Sequence, residues 1–277
     1  YGVVYKGTWK GQEVAIKTFH QSISADFTRG DEMLREAEIS CTLRHNNIVT
    51  FFGTAEDANG LSLVMEFVPL GSLGSMMKRG PLTLEFKKRV ARDVCCGMNF
   101  LHQNRVIHRD CKTDNVLVVS TDPSSTVVAK CCDFGSSRFM GMESDRTKTK
   151  GLGTPIFTAP EILDGKKYAY SADVFSYAIL LLNLATQTEP YGDFPSTATV
   201  YQFLFEQKRL PIPENTPPVL KSIISSCWAQ EPKSRPSFND IVLQLQSSAP
   251  TISSSYHPAS QCQPLLSMGS NDSDVDL

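Results

Sequence analysis

"VIHRDCKTDNVLV" runs from Val106 to Val118. It opens and closes on apolar, β-like residues. Between them it packs His108, Arg109, Asp110, Lys112 and Asn115 into a few positions. Just upstream, Phe86, Val90, Val94, Met98 and Leu101 recur at spacings of four, four, four and three, one face of a long amphipathic helix. The polar cluster is therefore predicted to sit in a loop between a helix and a β-run. An aspartate near a turn is ordinarily a local cap. The argument for chemistry comes from the order of the downstream motifs: "CCDFGSSR" with Asp133, Phe134 and Gly135, then "GTPIFTAPE" ending at Glu161.

The chain changes character near Pro69 to Ser75. Before it lie two β-like runs, "YGVVYKGTW" and "GQEVAIKTF", joined by "KG" as a hairpin. "GDEMLREAEISCTLRH" reads as a helix with Met33, Leu34, Ala37 and Leu43 available for a core face. "NIVTFFG" and "LSLVMEFV" are further strands, and "PLGSLGS" is a glycine-rich break. Beyond it the pattern is helical. "YAILLLNLA" is a buried helix that Ser171 is positioned to cap, and Ser237 with Asp240 forms a capping box ahead of Phe238, Ile241, Val242 and Leu245. The expectation is an α+β chain of two lobes: a small β-rich lobe over residues 1–68, then a hinge and a large α-helical lobe over 69–246. Residues 247–277, rich in Ser, Pro and Asp and without periodicity, are predicted to be a disordered tail.

Composition is that of an ordinary globular protein: 277 residues, 41% apolar and 20% charged, with a formal net charge of -2. That balance gives no support to nucleic-acid binding, which favours a basic surface. None of the eight cysteines forms a C-x-x-C; two adjacent pairs do not suit a zinc site, so reduced thiols in the cytoplasm are expected. The longest apolar run falls well short of the about 18 residues of a membrane span. No membrane segment is expected in this chain, although one upstream of Tyr1 stays open.

The ordered set "EVAIK", "HRDCKTDN", "DFG" and "APE" resembles the signature of the eukaryotic protein kinases. The resemblance covers Tyr1 to about Gln246 and implies a two-lobed kinase fold that uses ATP and Mg²⁺ on protein substrates. Lys17 would hold the nucleotide's α- and β-phosphates and pair with Glu36. Asp133 and Asn115 would hold Mg²⁺. Asp110 would accept the proton of the substrate hydroxyl, and Lys112 would steady the transferring phosphate. Met65 aligns with the gatekeeper position. Glu66, Phe67 and Val68 would form the hinge against adenine, with Val4, Ala15 and Leu117 around the ring. Lys112 and Thr154 resemble the Ser/Thr-specific pattern. "CWAQEPKSRPSF" resembles the tyrosine-kinase-like group, distantly Raf or the mixed-lineage kinases, with Arg235 pairing with Glu161.

The same resemblance implies control elements. Arg109 would dock an activation-loop phosphate, with Thr147 and Thr149 as acceptors for an upstream kinase. Ser40 falls where the family carries a Leu or Met in a spine shared with Phe51, His108 and Phe134. Cys111 replaces the usual Leu after the aspartate. Cys132 would face the nucleotide and be open to alkylation if exposed. "VVSTDPSSTVVAKCC" is longer than the usual hairpin and is expected to bulge at a solvent-facing turn. A pseudokinase that signals by shape is the alternative reading. Finally, "YGVVYKG" matches the end of the family's G-x-G-x-x-G-x-V loop, with Gly2 as its last glycine and Val4 as its valine. The first strand and two glycines are missing from this match. The expectation is a start cut within that loop, and weak ATP binding and poor phosphoryl transfer by residues 1–277 alone.

Overall fold

The structure is a computed structural model that describes residues 2–18, 28–57, 60–141 and 154–247. Thr147, Thr149 and the tail beyond Ser247 lie outside the described residues. For 28–32 only the helical backbone is described.

The N-terminal part is an antiparallel sheet of β1 (Val3–Trp9), β2 (Gln12–Thr18), β3 (Phe51–Asp57) and β4 (Gly60–Glu66), in the order β1-β2-β4-β3. The β1–β2 hairpin turns at Lys10 and Gly11, whose φ values of 50° and 79° are the left-handed pair that a two-residue hairpin loop requires. Helix α1 (Thr28–Thr42) packs on this sheet, with Met33 buried against Phe51 and Leu63. Leu34 does not join that face: it is 53% exposed. The inward stripe runs through Met33, Glu36, Ser40 and Leu43, at helical spacings of three and four, and Leu34 falls off it. Ile39, also fully buried, is an apolar core residue absent from the predicted face.

The glycine-rich "PLGSLGS" is more than a break. Ser72 accepts the N–H of Ser75 at 3.1 Å and caps a short helix, α2 (Leu73–Met77). Helix α3 (Leu84–Gln103) follows, capped by Thr83, and Phe86, Val90, Val94, Met98 and Leu101 are all buried as their spacing predicts. Next come β5 (Val106–Ile107), β6 (Val116–Val118), β7 (Ala129–Cys131) and β8 (Arg138–Phe139), as the two-stranded pairs β5–β8 and β6–β7. The remaining helices are α4 (Pro160–Leu163), α5 (Tyr170–Thr186), α6 (Thr197–Phe205), α7 (Pro218–Cys227) and α8 (Phe238–Ser247).

Helices α3 and α5 form the centre of the larger core. Phe175 and Tyr177 of α5 are fully buried, and the Tyr177 hydroxyl is satisfied by the Ala91 carbonyl at 2.8 Å. Burial of such side chains contributes roughly 1.5–3 kcal/mol each before entropy is counted. Helix α5 has the extended Ala169 at its N-cap, with no side-chain cap; Ser171 lies inside its first turn, where its carbonyl accepts from Arg235 at 2.9 Å. The capping box at α8 forms: Asp240 donates its N–H to Ser237 Oγ at 3.2 Å, and the Ser237 N–H returns to Asp240 Oδ2 at 2.9 Å.

The long β6–β7 connection is exposed at its tip, where Asp122 Oδ1 accepts from both Ser124 N–H and Ser124 Oγ. Its return limb is tied to α3. Arg89 donates to the carbonyls of Asp122 and Ser125, and buried Asp93 accepts the N–H groups of Val128 and Ala129.

Candidate active site

Lys17 lies opposite Val4 in the β1–β2 register, and Glu36 faces it from α1. The Lys17 ammonium donates to both Glu36 oxygens at 2.7 and 2.8 Å, and to Asp133 Oδ1 at 2.7 Å. One cation thus serves two carboxylates. Burial alone would lower the Lys17 pKa, but the charges of Asp133 and Glu36 outweigh it and hold it above the ordinary value. Asp133 is held below the usual carboxylate range by Lys17, against its own burial. For Glu36 burial wins, helped by the Asp133 charge, and its pKa is raised. Gly135 packs closely against both carboxylates. A Cβ on it would come within 3.0 Å of Glu36 Oε2 and 3.4 Å of Asp133 Oδ1.

The second cluster is built on the loop between β5 and β6. Asp110 Oδ1 accepts the Thr154 N–H at 2.9 Å and the Thr154 hydroxyl at 3.2 Å. Its Oδ2 accepts from Asn115 Nδ2 at 2.9 Å and faces Lys112 Nζ at 2.8 Å, which also donates to Thr154 Oγ1 at 2.6 Å. Asn115 Nδ2 reaches the Asp110 carbonyl as well, at 2.8 Å. The loop's backbone is fixed from below by Asp173 of α5, buried in the core. Its carboxylate accepts the N–H groups of His108 and Arg109 at 2.8 and 2.9 Å and faces His102 Nε2 at 2.9 Å. Burial would raise the Asp173 pKa, but these hydrogen bonds and the neighbouring histidines hold it low.

His108 links the clusters. Its Nδ1 accepts the Asp110 N–H at 3.3 Å, so Nε2 is the nitrogen free to donate to the Cys132 carbonyl at 3.2 Å. Its ring lies 5.5 Å from that of Phe134. Phe51 belongs instead to the separate small cluster with Met33 and Leu63, and Ser40 is buried on α1. Arg109 and Asp133 both hold left-handed backbone, φ 69° and 64°, which costs energy for a non-glycine residue and marks a site held by its surroundings.

Arg109 is buried with its guanidinium over the Tyr168 ring, 4.4 Å from the centroid, and its Nε has no hydrogen-bond partner among the described residues. Ser137, just before β8, is fully buried and donates to the His108 carbonyl. Cys132 is half-buried, and burial pushes its thiol well above the ordinary value; Cys111 is buried and shifted the same way. Burial that favours the neutral thiol weighs against alkylation of Cys132.

Above the clusters, Ala15 pairs with Met65 across β2–β4, and Leu117 bridges to Ser72. A Cβ on Gly2 would run into the Thr18 carbonyl, so β1 starts flush against β2. Lys6 sits over the Phe67 ring at 4.8 Å, bringing β1 above the Glu66–Val68 segment. Arg235 Nη1 and Nη2 meet the two Glu161 oxygens at 2.6 and 2.8 Å, with the side chains 0% and 8% exposed. Asp173 was placed near the start of a long central helix by the family resemblance, but Asp93 stood out little in the sequence: nothing in residue type announces a carboxylate that serves distant backbone N–H groups.

An N-terminal antiparallel sheet above a mainly helical region, with these clusters between, defines a protein kinase domain. The comparison with known families agrees. The model described as "Protein tyrosine and serine/threonine kinase" matches residues 1–245, and the chain belongs to that family. Over 248 residues it is 38% identical to a probable serine/threonine-protein kinase drkC of Dictyostelium discoideum, covering 88% of the chain and 32% of that protein. It is 37% identical over 265 residues to serine/threonine-protein kinase CTR1 of Arabidopsis thaliana, covering 93% of the chain and 31% of that protein. Dual specificity protein kinase shkB of D. discoideum is 35% identical over 251 residues, 88% of the chain and 38% of that protein. The chain therefore spans about a third of the length of these relatives. The tyrosine-kinase-like placement read from "CWAQEPKSRPSF" agrees with them. Among the described residues no helix is long and apolar enough to cross a membrane.

Proposed function

We propose that this domain transfers the γ-phosphoryl group of ATP to Ser and Thr hydroxyls of protein substrates. The observation that carries the reading is the closed Asp110–Lys112–Thr154–Asn115 network beside the Lys17–Glu36–Asp133 cluster. Catalysis of phosphoryl transfer is mainly positioning and charge stabilisation, and these residues supply both. Lys17, oriented by Glu36, neutralises phosphate oxygens. Asp110 orients the substrate hydroxyl and takes its proton as the new O–P bond forms and the bond to ADP breaks. Lys112 stabilises the charge on the phosphoryl in flight, and Thr154 holds Asp110 and Lys112 in register.

The donor set suits Mg²⁺: Asp133 and Asn115 offer hard oxygen ligands on adjoining strand ends, and Asp133 spends only Oδ1 on Lys17. When bound, the ion would neutralise charge on the nucleotide phosphates. Adenine would lie along Glu66, Phe67 and Val68, under Gly2 and Val4 and between Ala15, Met65 and Leu117.

The named hydroxyl specificity of two of the three relatives above supports the Ser/Thr reading, as does Thr154 on Lys112. A kinase assay with ATP and Mg²⁺ on a mixed Ser, Thr and Tyr peptide array tests it, with Asp110→Asn beside the parent chain. Activity unchanged by Asp110→Asn would sink the catalytic assignment, and phosphate on tyrosine alone would sink the specificity. The pseudokinase alternative draws support from Ser40, a hydroxyl where the family's spine is apolar.

For regulation, Arg109, whose Nε has no partner among the described residues, supports a docking point for a phosphate on Thr147 or Thr149, placed there by an upstream kinase. A Thr147→Ala/Thr149→Ala chain that kept full activity would remove this role. The free thiols at Cys41, Cys95, Cys96, Cys111, Cys131, Cys132 and Cys227 suit a reducing, cytoplasmic setting.

A further inference from the structure

Lys130 lies in β7, three positions before Asp133, and its ammonium reaches back to the segment that joins the sheet to the helical region. Nζ donates to both oxygens of Glu66, at 2.5 and 2.8 Å. The pair is largely withdrawn from water, with the side chains 14% and 21% exposed. Glu66 Oε1 also accepts the Thr50 N–H at 2.8 Å, while the Glu66 N–H donates to the Thr50 carbonyl at 2.9 Å. One residue of the link is thus held through main chain and side chain together. With its carboxylate engaged by Thr50 and Lys130, what Glu66 offers a nucleotide is main chain.

The strand that carries Lys130 is fixed as well. The Cys131 N–H donates to the Asn47 carbonyl and the Cys131 carbonyl accepts the Val49 N–H, both at 2.9 Å. Asn47 Nδ2 donates to the Ala129 carbonyl at 3.1 Å. A charge-assisted contact of one ammonium with two carboxylate oxygens, largely withdrawn from water, ties the link to this fixed strand. We infer that Lys130 is a positioning residue for nucleotide binding: through Glu66 it aims the hinge main chain, and so sets the preference for adenine over other bases. A site that reads a base by hydrogen bonds loses discrimination when its donors and acceptors are misaimed.

The inference rests on the reading of Glu66 to Val68 as the adenine edge. The test is steady-state kinetics with ATP and with GTP. Lys130→Met is expected to raise KM for ATP about ten-fold and to narrow the ATP-over-GTP preference by a similar factor, with kcat within about two-fold. KM for the peptide should stay put. Lys130→Arg keeps the cation and should recover most of the loss. Glu66→Gln combined with Lys130→Met should be no worse than Lys130→Met alone, since both act through one contact. If Lys130→Met melts too low for kinetics, Lys130→Gln serves for the same comparison. An unchanged ATP-over-GTP preference with only a lowered melting temperature would make the pair a plain structural tie and overturn the inference. A rise in kcat at constant KM would also overturn it, because the pair would then restrain turnover rather than aim the hinge. Val68→Pro, which deletes one hinge N–H, separates the two readings. If it leaves the ATP KM untouched, the adenine edge itself is misplaced and the inference falls with it.

Discussion

Lys17 is shared by Glu36 and Asp133, so its removal leaves the buried Glu36 carboxylate and the part-exposed Asp133 carboxylate without their common cation. Lys17→Met is expected to lower phosphoryl transfer at least about 100-fold, with circular dichroism showing the fold retained. Asp173 acts from beneath. Its folded pKa lies below the ordinary 3.8, so the stability it contributes is fully present above that value and is lost as pH falls through the folded pKa. Asp173→Asn should therefore cost roughly 2–3 kcal/mol at pH 7 from weakened charge-assisted hydrogen bonds. The gap to the parent chain should close as pH is taken below about 4, the unperturbed carboxylate value. Thermal melts across that range check it, and a gap that widened on acidification would contradict the assignment. The four motifs put Lys17, Asp110 and Asp133 in view from the sequence alone. Lys130 stayed hidden because its partner lies 64 positions away and nothing local to "AKCC" points to it.

Among the helices and strands, periodicity read best where one face meets a deep core. All five residues spaced along α3 are buried, whereas Leu34 on α1 is not, because α1 covers only a small cluster and gives its central inward position to Glu36. Local hydroxyls were less informative: Ser72 caps a helix that glycines had masked, while Ser171 caps nothing, the chain entering α5 in extended form at Ala169. Close approach between elements was not legible either. A Cβ on Gly97 would lie 2.7 Å from the Asn47 carbonyl and 3.0 Å from Cys131 Sγ, so this glycine sets how near α3 comes to the loop before β3. Gly97→Ala gains helix propensity but must push backbone, and a net loss of about 1–3 kcal/mol is expected in denaturant titration.

Across the whole molecule, the sheet and the helical core meet around two buried polar assemblies, the Lys17 cluster and the Asp110 network. A third, Glu161 with Arg235, ties α4 to the turn before α8 at almost no exposure. Breaking such a pair from one side strands a charge. Glu161→Gln is expected to destabilise by about 3 kcal/mol, read as a lowered denaturation midpoint at unchanged slope. The two-part architecture was legible because the strand-rich and helix-rich stretches are separate in sequence. Two of its cross-ties, Lys17 with Glu36 and Arg235 with Glu161, were legible through the family resemblance; Lys130 with Glu66 and Asp93 with the Val128 and Ala129 N–H groups were not, since each joins residues far apart along the chain and no motif names them.

The long connection between β6 and β7 touches α3 through Arg89 and Asp93, and none of these contacts involves Lys17, Asp110 or Asp133. Its tip at Pro123 and Ser124 is therefore a place where the polypeptide can be opened to carry cargo. A short epitope or a fluorescent reporter spliced between those two residues should leave melting temperature and ATP turnover near those of the parent chain. That would give a port for labelling the kinase in place, with both ends of the splice anchored to one helix.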